Sequence, residues 1–308
     1  MTTVEPGVSV VIPTRGRPDL VRKAVTSVVN QNYDGPIQCV VVHDQEEPNH
    51  SLAALSRSGR DVSVVLNTGQ TGLAGSRNFG LRFAEHDLIA SCDDDDWWEP
   101  EKVSAQVARL TSEPELLVVG AGIRLLMAED RTVEWLGSSD VVTQEQLFRS
   151  RRKELHSSTL MMRRSAFELA GTYDEKLPQS YAEDYEWLLR AAQHGSIGVV
   201  RRPLATIKKD GPSWFRERSE VIAEALEYLL VMHPEIKQSR KGHARILGQI
   251  AFARANQGRR QDALKDVGRS LAVWPIAPQA GLALFQLTFQ ADPRMLLRGA
   301  RVVGRGLS

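Results

Sequence analysis

Cysteine is scarce in this chain of 308 residues, with Cys39 and Cys92 alone. Each lies in an apolar stretch without a CxxC partner or a neighbouring ligand histidine, which excludes a disulfide framework and a thiolate metal cluster and suits reduced core thiols in a cytosolic protein. Long apolar runs are lacking too: nothing approaches the roughly 18 residues of a membrane span. The opening Met1-Thr2-Thr3-Val4-Glu5-Pro6 has neither a basic nor an apolar leader segment, so a soluble cytoplasmic protein is expected. Charge of one sign is absent as a global feature, since 39 Lys and Arg balance 38 Asp and Glu at a net +1. With no Lys/Arg block interleaved with aromatics before residue 290, no nucleic-acid partner is expected. An apolar content of 42% supports a globular chain, and the length favours one large domain plus an appendage.

The first half alternates short β-branched runs with longer amphipathic ones. Strands are expected at Val8–Ile12, Ile37–His43, Val62–Leu66 and Leu88–Cys92, and helices at Pro18–Gln31 and from Gly72 to about Glu85. This βαβ rhythm implies an α/β fold with a mainly parallel central sheet covered on both faces, and such sheets bind ligands at the carboxyl ends of their strands. Those ends offer Pro13-Thr14-Arg15-Gly16-Arg17, Asp44-Gln45, Asn67-Thr68-Gly69 and the run Asp93-Asp94-Asp95-Asp96, all polar and compatible with a nucleotide.

The aspartate run is the most informative of the four. Four like charges repel one another and normally belong on a solvated face, yet these abut a buried strand and the pair Trp97-Trp98. A cation should compensate them, and Mg²⁺ or Mn²⁺ takes carboxylate and diphosphate oxygens readily. Between the third and fourth strands, Asn67 to Gly80 forms a glycine-rich turn running into a helix that carries Arg77. Such a turn lets backbone approach an anion closely, and a guanidinium favours anionic oxygen.

Taken in order, Val10-Val11-Ile12-Pro13-Thr14, Asn67-Thr68-Gly69, Ser76-Arg77-Asn78-Phe79-Gly80 and Asp93-Asp94-Asp95 resemble the GT-A glycosyltransferases of family 2, across roughly residues 7–210. Ser157 to Phe167, Gly171-Thr172-Tyr173-Asp174-Glu175 and Glu183-Asp184 are similar to the same family's acceptor strand, Gly-x-Phe-Asp-Glu segment and ED segment. The resemblance implies a metal-dependent, inverting transfer of a sugar from a nucleotide-diphosphate donor, UDP favoured, to a hydroxyl of a glycan, lipid-linked or small-molecule acceptor. It implies a donor site of Pro13, Thr14, Arg15, Asp44, Asn67, Arg77, Asp93 and Asp94, a Mn²⁺ or Mg²⁺ ion on Asp95, and Asp184 as general base. His156, Glu183 and Trp214 are the candidates on the acceptor side.

Each of these has a plainer alternative. Acidic residues in the first turn favour the helix dipole, which would account for Glu183-Asp184. Trp97, Trp98, Trp187 and Trp214 could stack on sugars, although tryptophans flanking strands and helices commonly pack, and His156 could be a solvated or core residue. The chain also departs from the family: His43-Asp44-Gln45-Glu46-Glu47-Pro48 stands where relatives have Asp-Asp-Gly-Ser, so base preference can differ. After the last strand, Lys208, Lys209 and Arg216 are candidates for phosphate contact where no histidine is present. The Gln-x-x-Arg-Trp signature of processive synthases is absent, which favours transfer of single sugars.

A GT-A domain over 1–215 is therefore expected, followed by a helical region over 216–308. Gly258, Ala263, Leu271 and Pro275 have the spacing of one tetratricopeptide-like hairpin at about 244–277, read as an isolated hairpin packed on the first domain. The end of the chain pairs Arg294, Arg298, Arg301 and Arg305 with apolar residues, which suits a peripheral contact at the inner membrane face or a homo-oligomer. Competing readings are a catalytically silent scaffold that binds nucleotide-sugar, and a sugar-phosphate nucleotidyltransferase. The latter needs a longer glycine-rich loop after the first strand than Pro13–Arg17 provides.

Overall fold

The computed structural model describes residues 5–128, 131–208 and 219–289. The described residues of 5–144, 152–175 and 183–208 form one compact unit, and those of 145–151, 176–182 and 219–289 form another.

The first unit opens with β1 (Val8–Thr14), α1 (Pro18–Val29), β2 (Ile37–His43), β3 (Arg60–Leu66), α2 (Leu73–Leu81) and β4 (Leu88–Ser91). Then come β5 (Trp97–Trp98), α3 (Lys102–Ser112), β6 (Val118–Leu126), β7 (Thr132–Trp135), β8 (Val141–Val142), β9 (Met161–Arg163), α5 (Arg164–Ala170), α6 (Glu183–Ala191) and β10 (Ile197–Lys208), while α4 (Gln144–Arg149), between β8 and β9 in the chain, falls in the second unit apart from Gln144. The sheet order is β3-β2-β1-β4-β9-β6-β10-β5, with β7 on β6 and β8 on β10. The pairs β3–β2, β2–β1, β1–β4 and β6–β10 are parallel, and β9 runs antiparallel between β4 and β6. The α/β class with a mostly parallel sheet is thus as expected.

Every residue of β1, β2 and β4 is buried, which is why these strands read as continuous apolar runs. Helix α1 covers them with Val21, Ala24, Val25, Val28 and Val29, one face at helical spacing. Pro18 starts it where a missing N–H costs nothing. Helix α2 stops at Leu81, short of the expected Glu85. There, Phe83 carbonyl oxygen accepts from Gln38 Nε2 at 2.9 Å and Glu85 N donates to Gln38 Oε1 at 3.0 Å, so the sheet captures the backbone that would have continued the helix.

The second unit contains α7 (Ser219–Met232), α8 (Arg240–Asn256), α9 (Arg260–Val273) and α10 (Pro278–Phe289). Here α8 pairs with α9 and also with α7 and α10, so the hairpin is not isolated. Ala244, Ala251, Phe252, Val267, Ala280 and Ala283 form its core. At Gly248 an added Cβ would lie 2.7 Å from Ala280 N, so α8 and α10 approach too closely for a side chain at that point. No helix of the described residues is long and apolar enough to cross a membrane. Lys209, Trp214, Arg216 and the arginine-rich stretch 294–305 lie outside the described residues.

Candidate functional site

Register brings the polar strand ends to one level. Thr14 pairs with His43 and His43 with Leu66, so Asp44 and Asn67 emerge side by side. Asp44 is buried, and its carboxylate accepts from Asn67 Nδ2 at 3.1 Å and from Gly72 N at 3.0 Å. Asn67 Nδ2 also reaches Gln70 carbonyl oxygen at 2.8 Å, which shapes the glycine-rich turn. That turn needs Gly75: a Cβ there would sit 1.9 Å from Gln70 carbonyl oxygen.

Strand β4 ends at Ser91 opposite Val11, so three residues further on Asp94 comes level with Thr14, whose hydroxyl donates to it at 2.8 Å. The aspartates of the run differ in their donors, with one shared between Asp94 and Asp95. Asp93 accepts from Arg77 and, at 2.7 Å, from Ser157 Oγ. Arg17 Nη1 lies 2.9 Å from Asp94 and 3.0 Å from Asp95. Asp96 accepts from Ser158 Oγ at 2.6 Å and Lys208 N at 3.2 Å, with His156 Nδ1 at 3.7 Å. The like charges are thus separated by the groups that hold them.

The same environment splits their acidities. Burial pushes the Asp93 carboxyl up, but Arg77, His156 and the Ser157 hydroxyl outweigh it and hold this acid below its usual range. Burial dominates at Asp94, raising it to about 6 against the pull of Arg17 and Thr14.

Arg77 is 1% exposed, a cation tied to Asp93 on one side and to Glu183 on the other, with its guanidinium over the Tyr173 ring. The first turn of α6 therefore meets the end of β4 through a single buried residue. Asp184, also buried, follows Glu183 and faces the Arg77 charge, while its Oδ1 accepts from Tyr185 N at 2.7 Å. Among the described residues, four non-glycine residues have left-handed φ: Gln45 at 56°, Gln179 at 49°, Ser180 at 56° and Ala182 at 67°. All lie within five residues of Asp44 or Asp184, and such strain, of about 1–3 kcal/mol per residue, gathers where a site over-determines the backbone.

A sequence profile described as Glycosyl transferase family 2 matches residues 9–169, more than half of the chain. The chain belongs to glycosyl transferase family 2. An uncharacterised glycosyltransferase of Rickettsia typhi is 24% identical over 200 residues, spanning 63% of this chain and 61% of that protein. The UDP-Glc:α-D-GlcNAc-diphosphoundecaprenol β-1,3-glucosyltransferase WfgD of Escherichia coli is 27% identical over 103 residues, 33% of this chain and 40% of its own. The matched region is therefore less than two thirds of these relatives. Among solved structures, residues 1–349 of TarS from S. aureus in complex with UDP-GlcNAc superpose with a TM-score of 0.61 at 16% identity, covering 97% of this chain and 92% of that one. The mannosyltransferase PcManGT of Pyrobaculum calidifontis, in complex with GDP-Man and Mn²⁺, gives 0.56 at 16% identity, covering 94% and 89%. The GT-A fold follows from these likenesses.

Within this family 2 chain, the residues expected at the donor site are gathered as far as they are described. Pro13 is buried in β1 opposite Val42, Thr14 and Asp44 flank the strand ends, and Arg15 is exposed beside them. The expected metal ligand Asp95 pairs with Arg17. The described residues group a different set at metal-ligand spacing, Asp93, Asp96 and His156, whose ligand atoms lie within 4.8 Å of one another. Arg17, Asp96 and the Ser157-Ser158 pair fall inside segments that the sequence marked, but motif reading gave them no role of their own. The signal for Arg17 was a cation at a strand end facing an acidic run. Trp187 is a packing residue: it is fully buried against Phe167 and Tyr173, and its indole N–H donates to Gly171 carbonyl oxygen at 2.8 Å.

Proposed function

We propose that this chain transfers a single sugar from a nucleotide-diphosphate donor, UDP favoured, to a hydroxyl of a glycan or lipid-linked acceptor, inverting the anomeric carbon. The observation that carries the reading is the Asp93–Arg77–Glu183 bridge, which ties the acidic strand end to the helix start bearing Asp184. An acidic helix terminus that merely suited the dipole would have no reason to be locked to that strand. The TarS fold neighbour in complex with UDP-GlcNAc supports the choice of donor class.

In this reading Thr14, Asp44 and Asn67 line the nucleoside end at the β1, β2 and β3 termini, with Pro13 and Arg15 beside them. Asp93 and Asp94 face the ribose and diphosphate, and Arg77 holds Asp93 in place from behind. Asp184 accepts the proton of the acceptor hydroxyl as its oxygen attacks the anomeric carbon, and the bond to the diphosphate breaks with its electron pair leaving on the nucleotide. Attack opposite the leaving group in one step inverts the configuration. The donor set suits a hard cation, because Asp93 and Asp96 supply carboxylate oxygens and His156 one nitrogen, and Asp95, the ligand that the resemblance implies, would add a further carboxylate. When bound there, Mn²⁺ or Mg²⁺ supplies Lewis-acid neutralisation of the charge that builds on the leaving diphosphate. His156 and Glu183 stand on the acceptor side, the latter through its hold on Arg77.

Thermal stability against UDP, GDP, dTDP and CMP, each with and without Mn²⁺, tests the site. A nucleotide at about a hundredfold its Kd adds roughly 2.7 kcal/mol. UDP should stabilise only with Mn²⁺, and Asp95→Ala should abolish the effect. Asp184→Asn should keep the nucleotide shift and lose transfer by about 10²- to 10⁴-fold. A chain that responds to no nucleotide overturns the transferase reading, and one that shows the nucleotide shift but no transfer is a silent scaffold.

A further inference from the structure

We propose that Arg17 competes with the divalent cation for the Asp95 carboxylate and takes the donor diphosphate in exchange, which couples metal uptake to donor binding. The inference rests on the metal-dependent reading above. The two guanidiniums at the acidic run are built differently. Arg77 is 1% exposed and held by two carboxylates from opposite sides, so it is locked. Arg17 has a side chain 36% exposed, and one nitrogen, Nη1, serves both Asp94 and Asp95. Its planar fork therefore keeps further N–H donors for phosphate oxygens.

Release of Arg17 would not unsettle the run. Asp94 is held independently by the Thr14 hydroxyl at 2.8 Å, whereas Asp95 exchanges the Arg17 guanidinium for the cation. The backbone next to Arg17 is pinned, since Gly16 adopts a φ of 67° and its N–H donates to Glu46 Oε2, so the exchange is a rotation of the Arg17 side chain alone. Arg17 also sits on the loop after β1 that carries Thr14, on the side assigned to the nucleotide. The exchange leaves charge balanced, because the cation replaces the guanidinium at Asp95 and the guanidinium meets the anion that arrives with the cation.

Mn²⁺ binding without nucleotide, read from the electron paramagnetic resonance of free Mn²⁺, and UDP affinity at saturating Mn²⁺, read by calorimetry, are to be measured for wild type, Arg17→Gln and Arg17→Lys. Removing an exchangeable, partly exposed ion pair should tighten Mn²⁺ about threefold in Arg17→Gln. Loss of a charge-assisted contact should weaken UDP about tenfold in the same variant. Arg17→Lys keeps the charge but not the fork, so Mn²⁺ affinity should stay near wild type while UDP weakens; this variant decides the matter if Arg17→Gln does not fold. Unchanged or weaker Mn²⁺ binding in Arg17→Gln, or UDP affinity at the wild-type level in either variant, overturns the exchange. Mn²⁺ that binds wild type and Asp95→Ala equally also overturns the exchange, because the cation is then held without Asp95, whereas a wild type that binds no Mn²⁺ removes the metal reading itself, a different failure.

Discussion

Replacing Arg77 with methionine tests the bridge on which the site depends. The side chain is 1% exposed, and its partners differ: the side chain of Glu183 is 5% exposed and that of Asp93 is 23% exposed. Without the guanidinium, Glu183 becomes an uncompensated buried charge, whereas Asp93 keeps the Ser157 hydroxyl at 2.7 Å and the Ser158 Oγ contact to its backbone. Breaking a buried ion pair by removing one partner costs about 3–5 kcal/mol, and most of that should come from Glu183. Arg77→Met should therefore lose about this much in urea unfolding at pH 7, and adding Glu183→Gln should return about half of it. In wild type, Asp93 sits below its usual range, so its contribution is fully present at neutral pH and is lost only as pH falls through the acid range. The variant's deficit should accordingly shrink toward pH 4, as the stranded carboxyls take up protons. A loss under about 1 kcal/mol, or a double variant no better than Arg77→Met, would refute the argument that the bridge is a buried, mutually dependent unit.

Lys102 is wholly buried, and burial lowers its ammonium from 10.5 to about 7. The unfolded chain then binds more protons than the folded one above pH 7, so stability should rise by up to about 2 kcal/mol from pH 7 to 9. The Gln106 carbonyl at 2.6 Å and the Trp98 ring at 3.8 Å favour the charged form, which makes this an upper bound. Lys102→Met should remove the slope, and urea midpoints at pH 7, 8 and 9 check it. The buried thiols act in the opposite direction, because burial raises both Cys39 and Cys92 and the unfolded chain alone then loses thiol protons as pH approaches 9, so the Lys102 effect is read as the difference between wild type and Lys102→Met. Gly75→Ala should cost about 1–3 kcal/mol by driving a Cβ into Gln70 carbonyl oxygen, and should weaken UDP binding as Asn67 loses that anchor.

The parallel half of the sheet was legible because buried strands leave a simple trace. β1, β2 and β4 are apolar without alternation, and the helices between them repeat at 3.6 residues. The strand-end residues could be found on the same logic, since a polar residue directly after such a run has one place to go. Less legible were the elements whose pairing is distant. β5 comprises Trp97 and Trp98, defined by partners Thr206 and Ala205 over a hundred residues away, and neither periodicity nor propensity marks two residues as a strand. The second unit was read too simply for a related reason: α8 and α10 meet through alanine and glycine, which carry little hydropathy signal although they allow close approach.

Spacing in sequence named the acidic run, but it could not assign its members. Four adjacent aspartates look equivalent as letters, and a DxD pattern can be laid over them in more than one register. The fold separates them by their donors. Among their contacts, Asp93 receives a buried guanidinium, Asp94 a hydroxyl and the partly exposed Arg17, Asp95 the same Arg17, and Asp96 a hydroxyl and a backbone N–H. The hold of Arg17 on Asp95 combines a partly exposed cation with a partly exposed carboxylate, 36% and 34% by side chain. An ion exchanges most cheaply where both partners already see water, because neither has to be stripped of a buried partner first. The same reasoning leaves Asp93 as a fixed anion, committed to Arg77 and through it to the helix that presents Asp184. On the proposed function, a site assembled this way would have one rigid half to align the base and one exchangeable half to admit the donor, and variants of Arg77 and Arg17 should divide accordingly: the first should disturb stability, the second ligand affinity.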